Sequence, residues 1–217
     1  MLRKDIKAFI KAIRKHENTL VKQMLMDIPE LVVAKAKSPP KKDDGQSPLQ
    51  IAFKVGNFEA AEELLNQGAD PDYLEESEIN EWTAPVLHDA IRATIFNSRT
   101  LHKDDTGFKW GLRLIRNMLE KGANPNKEDS YGNNCGMRAV LDARQMILHP
   151  DVDTASDGTV SQVKQIFAVL QEFGADYDLY NEKRESTRKA LINMGLSEYN
   201  LLPNKAISAD AKSRAAE

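Results

Sequence analysis

The chain has 217 residues, enough for one domain or one elongated array. Apolar residues make up 41%, which suffices for a core and excludes wholesale disorder, and the lone Cys135 excludes an internal disulfide framework or a cysteine-based zinc site. The net charge of −3 hides a strong asymmetry: residues 1–42 hold 11 Lys/Arg against four Asp/Glu, and residues 43–90 hold one Lys against 12 Asp/Glu.

The low aromatic content, 6%, beside 29% charged residues suits a thin helical architecture with much exposed face. No apolar run approaches the ~18 residues of a membrane span. Charged residues interrupt the N-terminus from Arg3 to Lys7, which disfavours a signal peptide and leads to the expectation of a cytoplasmic protein.

In chain order, Phe9–Ile13 and Leu20–Leu25 read as a helix pair whose outer face carries Lys4, Lys7, Lys11 and Arg14. Asp44-Gly45 then makes a tight turn, Ser47 caps a short helix with Pro48 in its first turn, and Gly56 ends it. Leu49, Ala52 and Phe53 share one face of that helix. Phe58, Ala61, Leu64 and Leu65 repeat the apolar spacing in the next, which stops at Gly68-Ala69-Asp70-Pro71-Asp72. The same ending returns at Gly122-Ala123-Asn124-Pro125-Asn126 and at Gly174-Ala175-Asp176-Tyr177-Asp178, 54 and 52 residues apart. Glycine there predicts a left-handed helix cap, and the Asp/Asn-x-Asp/Asn after it predicts a side-chain-supported turn.

Turn, short helix, second helix and Gly-Ala-Asp ending, with Ser47-Pro48-Leu49-Gln50-Ile51-Ala52 in the motif position, resemble the ankyrin repeat, most closely over residues 45–72. Leu87-His88-Asp89-Ala90 keeps part of the motif in the next copy. The resemblance implies an all-α solenoid over residues 1–202. It divides into an N-terminal capping repeat (5–42), repeats at 43–74, 80–128 and 129–180, and an incomplete C-terminal capping repeat (181–202). Segments 97–108 and 147–160 read as insertions: the second helix of one copy is expected from Gly111, and that of the next from Ser161. The tail 203–217 is expected to be disordered.

Catalytic and metal-binding patterns are weak. Asp151, Asp153 and Asp157 lack the partners of an EF-hand loop, since Ala155 and Gln162 stand where ligands are needed. Thr159 with Gln162 reads instead as a capping box. His102 with Asp104 and Asp105 finds no further ligand, and His16 and His149 find none either. His88 is implied to be a structural histidine bonding neighbouring turns. Cys135 stands at a helix start, which could lower its pKa, but pairs with no base. No phosphate loop or nucleophile motif occurs. No catalytic residue, metal or cofactor is therefore expected.

The longer connection Tyr73–Trp82 mixes carboxylates with aromatic residues and predicts a finger that steers a basic protein partner onto Tyr73 and Trp82, with Glu75, Glu76 and Glu78 supplying the charge; packing of Trp82 and Ile79 beneath the loop is the competing reading. By repeat position, the resemblance implies that the concave binding strip takes Asp43, Asp44, Gln46, Lys54 and Val55 from one repeat. Glu81, Trp82, Arg92 and Ala93 follow from the next, then Ser130, Tyr131, Asn133, Leu141 and Asp142. The basic head lacks interleaved aromatic rings, so neither nucleic acid nor membrane is an expected partner, and a monomer is expected. The leading expectation is a non-catalytic protein-binding module. An inhibitor or effector, acting in a host cytosol and using the acidic block as a phosphate mimic, is the alternative. An enzyme built by the two insertions is the third class.

Overall fold

Apolar residues three and four apart place nine α-helices among the residues that the computed structural model describes, 3–98, 104–150 and 158–204. They form successive hairpins: α1 (Arg3–Arg14) with α2 (Asn18–Asp27), α3 (Pro48–Lys54) with α4 (Phe58–Asn66), and α5 (Val86–Phe96) with α6 (Thr106–Glu120). After these come α7 (Cys135–Ile147) with α8 (Gly158–Glu172), and finally α9 (Thr187–Asn193). The one bridge of β type among the described residues joins Leu74 to Pro85 at the base of the finger.

Each first helix packs on the next, α1 on α3, α3 on α5, α5 on α7 and α7 on α9; the second helices do the same from α2 through α4 and α6 to α8. A continuous core results, running from Phe9 and Ile13 through Phe53, Leu64, Leu87, Ile91 and Ile115 to Phe167 and Leu170. No helix among the described residues is long and apolar enough to cross a membrane.

Local chemistry sets the helix ends. Ser47 Oγ accepts from Gln50 N at 3.1 Å, Asn57 Oδ1 from Ala60 N at 3.1 Å and Asn134 Oδ1 from Met137 N at 2.9 Å, so each start satisfies one orphan donor. Gly68, Gly122 and Gly174 have φ of +90°, +99° and +89°, the left-handed caps that their recurrence predicts. Behind each cap, Asp70, Asn124 and Asp176 accept from the backbone two residues on, all at 2.9 Å. The turns also bond to one another. Asn124 N donates to Asp72 Oδ1 and Asp176 N to Asn126 Oδ1, both at 2.9 Å, which fixes the register from one repeat to the next.

The insertions are bounded differently from the expectation. Helix α6 starts at Thr106 rather than Gly111, because Phe108 is apolar and 1% exposed and extends the buried stripe by a turn. Helix α8 starts at Gly158, with Thr159 and Gln162 buried inside it; Gln162 Nε2 donates to Asp105 Oδ1 across to α6 instead of closing a capping box. His102, Asp151, Asp153, Ala155, Asp157 and the tail beyond Asn204 lie outside the described residues.

Candidate functional site

The first helices and the finger enclose an open trough of about 870 Å³. Helix α3 contributes Phe53 and Lys54, α5 contributes Asp89, Arg92 and Phe96, and the finger contributes Glu75, Glu81 and Trp82. Arg14, Lys41, Lys42 and Asp43 close its N-terminal end.

The floor is a buried polar network. Gln50 Nε2 donates to Asp89 Oδ2 at 2.9 Å, to Glu75 Oε2 at 3.2 Å and to the Ala84 carbonyl at 3.3 Å. Lys54 Nζ sits 3.4 Å from Glu75 Oε2 and 3.9 Å from Asp89 Oδ2, offsetting two carboxylates that are each 4% exposed. Burial pushes the Asp89 carboxyl up to about 6, against the pull of Lys54 and Gln50. Lys54 also lies 5.4 Å from the Trp82 ring centroid, a cation–π contact that fixes the indole as one wall. Arg92 stacks in the same way on Phe96, at 5.5 Å.

The finger is tied down rather than projecting. Tyr73 Oη donates to the Gly45 carbonyl at 2.6 Å, and Glu76 N donates to the same oxygen at 3.1 Å. Burial pushes the Tyr73 phenol up to about 12, helped by Glu76 and Glu75. Trp82 Nε1 donates to Asp129 Oδ2 at 3.0 Å, while Asn133 holds the same carboxylate from the other side.

These placements divide the residues expected at a binding surface. Asp43, Asp44, Gln46, Glu75, Asn133 and Asp142 are buried and committed to internal partners: Asp43 pairs with Arg14, Asp44 accepts from Ser38 N, and Asp142 pairs with Arg138 at 2.5 Å. They shape the strip from within. Tyr73 and Trp82 are half-buried and bonded inward; of this segment's carboxylates Glu75 alone turns inward, because Lys54 and two glutamines wait there. Glu76 pairs with Lys35 at 2.5 Å on the outer edge. Glu78, Glu81, Arg92 and Tyr131 remain exposed, with Ile79 beside them at 43%, so Ile79 does not pack beneath the loop. Ser130 is half-buried, its Oγ receiving Thr83 N and donating to the Glu81 carbonyl.

Sequence reasoning missed Gln50, Asp89 and Phe96. Gln50 follows Leu49 as His88 follows Leu87, and both slots turn inward toward the next turn. His88 lies against the Lys127–Asp129 turn, but neither ring nitrogen meets a partner at hydrogen-bonding geometry among the described residues, so the turn-bonding role that the resemblance implied is not seen. Burial lowers its pKa to about 4, with Asp129 pulling the other way and Arg138 adding to the fall. Cys135, fully buried, has its thiol pushed up by burial, which overrides the helix-start effect. His16 Nε2 contacts the Val55 carbonyl at 3.2 Å. No group of three or more His, Cys, Asp or Glu able to hold a metal ion occurs among the described residues.

Paired helices and inter-turn bonds thus frame a walled trough in an all-helical chain. Residues 44–75 match the family model described as Ankyrin repeat, and ankyrin repeats are protein-interaction modules. No curated protein matches the chain.

Proposed function

We propose that this is a non-catalytic module that binds a protein partner along the trough between the finger and the first helices. In this reading residues 1–202 form one ankyrin solenoid, with capping repeats at 5–42 and 181–202 around repeats at 43–74, 80–128 and 129–180. The carrying observation is the trough itself, about 870 Å³ with the Trp82 indole and the Arg92–Phe96 stack as walls. Its floor is locked by Gln50, so a partner meets a preformed surface and binding loses little backbone entropy. Partner contacts fall on the exposed Glu78, Glu81, Arg92 and Tyr131, whereas Lys54, Glu75 and Trp82 hold the walls in place.

The test is capture of partners from source-cell lysate by the full chain and by an Arg92→Glu/Glu81→Lys variant. Arg144→Glu, an exposed change on α7 outside the trough, is the control. A partner retained by wild type and control but lost by the double variant supports the reading. A partner retained equally by all three overturns it.

A further inference from the structure

A second groove adjoins the N-terminal end of the trough at Arg14, Lys42 and Asp43. It has about 400 Å³, within the roughly 300–1,000 Å³ of ligand pockets, and sits between α1 and the segment 36–40. Ile6, Ile10, Ala36, Pro39 and Pro40 make an apolar floor and wall. Arg3 Nη2 donates to the Ser38 carbonyl at 2.7 Å, and Ala36 exchanges backbone bonds with Gln46 and Gly45 at 2.9 and 3.0 Å, so the wall is fixed without a partner.

The rim is strongly one-signed. Lys7, Lys11, Lys15, Lys37 and Lys42 surround the floor with Arg14. Asp43 is the one carboxylate lining the groove, and Arg14 already pairs with it. Lys7, Lys11, Lys37 and Lys42 form no ion pair among the described residues, so four ammonium groups ring an apolar depression, with Asp44 acting on Lys37 only at longer range. No aromatic ring lines it on which a nucleobase would stack. Its concavity between a helix and a proline wall suits an inserted side chain better than a flat bilayer surface.

We propose that this groove binds an acidic protein segment that inserts large apolar side chains between flanking carboxylates. Apolar insertion supplies the contact area, and the lysine ring selects the sign of the flanks and raises the association rate. The groove adjoins the trough, sharing Arg14, Lys42 and Asp43 with its N-terminal end, but its apolar floor belongs to α1 and the segment 36–40 and its rim carries the opposite charge to the finger's outer edge.

The test uses the full chain and a fluorescein-labelled synthetic peptide alternating Glu/Asp pairs with Leu pairs, read by fluorescence anisotropy at low and moderate salt. Three comparisons run beside it: the peptide with Leu replaced by Ser, the peptide with its acids replaced by Gln/Asn, and phosphatidylserine vesicles. Wild type is expected to bind the acidic–apolar peptide, with affinity reduced about tenfold or more by Lys7→Glu/Lys11→Glu and by either peptide change. Lys164→Glu, an exposed change on α8, and Arg92→Glu in the trough should leave it unaltered. Amide shifts on binding should centre on Ile6, Ile10 and Ala36. Circular dichroism of the double variant, whose two lysines are exposed, shows that the fold is intact. The proposal is overturned by no peptide binding, by equal binding to the charge-reversed variant, by shifts centred elsewhere, or by vesicle binding without peptide binding.

Discussion

Trp82 of the finger and Asp129 of the following turn are 47 residues apart in sequence and joined by a 3.0 Å hydrogen bond from indole to carboxylate. Because Asn133 and the Tyr131 and Asn133 backbone also donate to Asp129, the finger ends on an anchor that the next repeat has already built. Burial alone would raise the Asp129 carboxyl, but the bonds from Asn133 and Trp82 outweigh it and hold the group below its ordinary value. Trp82→Phe keeps a ring and removes the donor, and should cost about 1–2 kcal/mol in urea unfolding at neutral pH. A carboxyl depressed in the folded state contributes stability above its unfolded pKa of about 3.9, lost as pH falls through the folded value. The cost of Trp82→Phe should therefore shrink as pH falls below the unfolded value of about 3.9, which paired unfolding curves followed by far-UV circular dichroism would check.

That anchor also shows what was legible beforehand. Gly68, Gly122 and Gly174, and the Asp/Asn turns behind them, are local devices whose residues and partners lie a few positions apart, so spacing alone predicts them. The direction of Trp82 depends on Asp129, and that of Glu75 on Lys54 and Gln50, none of which is a sequence neighbour. A block of carboxylates reads as solvated when burial cannot be seen. The available signal was Gln50, a polar residue between Leu49 and Ile51 on a seven-residue helix with little surface to spare. A helix start is hard to read where Thr106 and Gly107 precede Phe108, because the apolar residue that extends the buried stripe stands behind residues that read as loop.

Asp89 and His88 are adjacent on α5 and titrate in opposite senses. Asp89 is raised to about 6 by burial; a raised folded pKa gives stability present below the unfolded value of about 3.9 and lost as pH rises through 6. His88 is lowered to about 4 by burial; it gives stability present above its unfolded value of about 6.5 and lost as pH falls through 4. Between pH 4 and 6.5 the two tilts offset each other in the wild type. Asp89→Asn leaves only the histidine tilt, so stability should fall by on the order of 2 kcal/mol from pH 6.5 to 4. His88→Asn leaves only the aspartate tilt and should fall by a similar amount in the other direction. Urea midpoints at four or five pH values separate the slopes, and parallel curves for the three proteins would refute the assignment.

Gly45 carries the finger's other attachment. Its φ is +77°, and a Cβ there would stand 2.3 Å from Ser77 N and 2.4 Å from the Glu76 carbonyl carbon. Both are backbone atoms that cannot rotate away. Gly45→Ala combines left-handed strain of about 1 kcal/mol with displacement of the finger, and should cost more than about 2 kcal/mol. Gly68→Ala has φ of +90° but open space around the added carbon, so it should cost only the strain, about 1 kcal/mol. In Gly45→Ala amide exchange should also accelerate at Glu76, whose N–H bonds to the Gly45 carbonyl, and remain slow in Gly68→Ala.

Asp72 tests how far the turns hold the repeats in register. Its Oδ1 accepts from Asn124 N at 2.9 Å, and Lys127 Nζ reaches its Oδ2 at 2.7 Å and its carbonyl at 2.6 Å. Asp72→Ala leaves Lys127 one backbone acceptor and strips the Asn124 N–H of its partner, a loss of about 1–2 kcal/mol. Asp178 is the last of these aspartates and pairs with Arg188 at 2.8 Å, both side chains more than two-fifths exposed. Asp178→Ala should cost less than about 1 kcal/mol, since an exposed pair is weak. Because this turn joins the ends of two helices that pack on each other, Asp72→Ala should also loosen the contact between α4 and α6 specifically. Hydrogen exchange should then show protection lost on both sides of residue 72 before it is lost in α8. Uniform loss along the whole chain would mean that the turn bonds are passengers on the core.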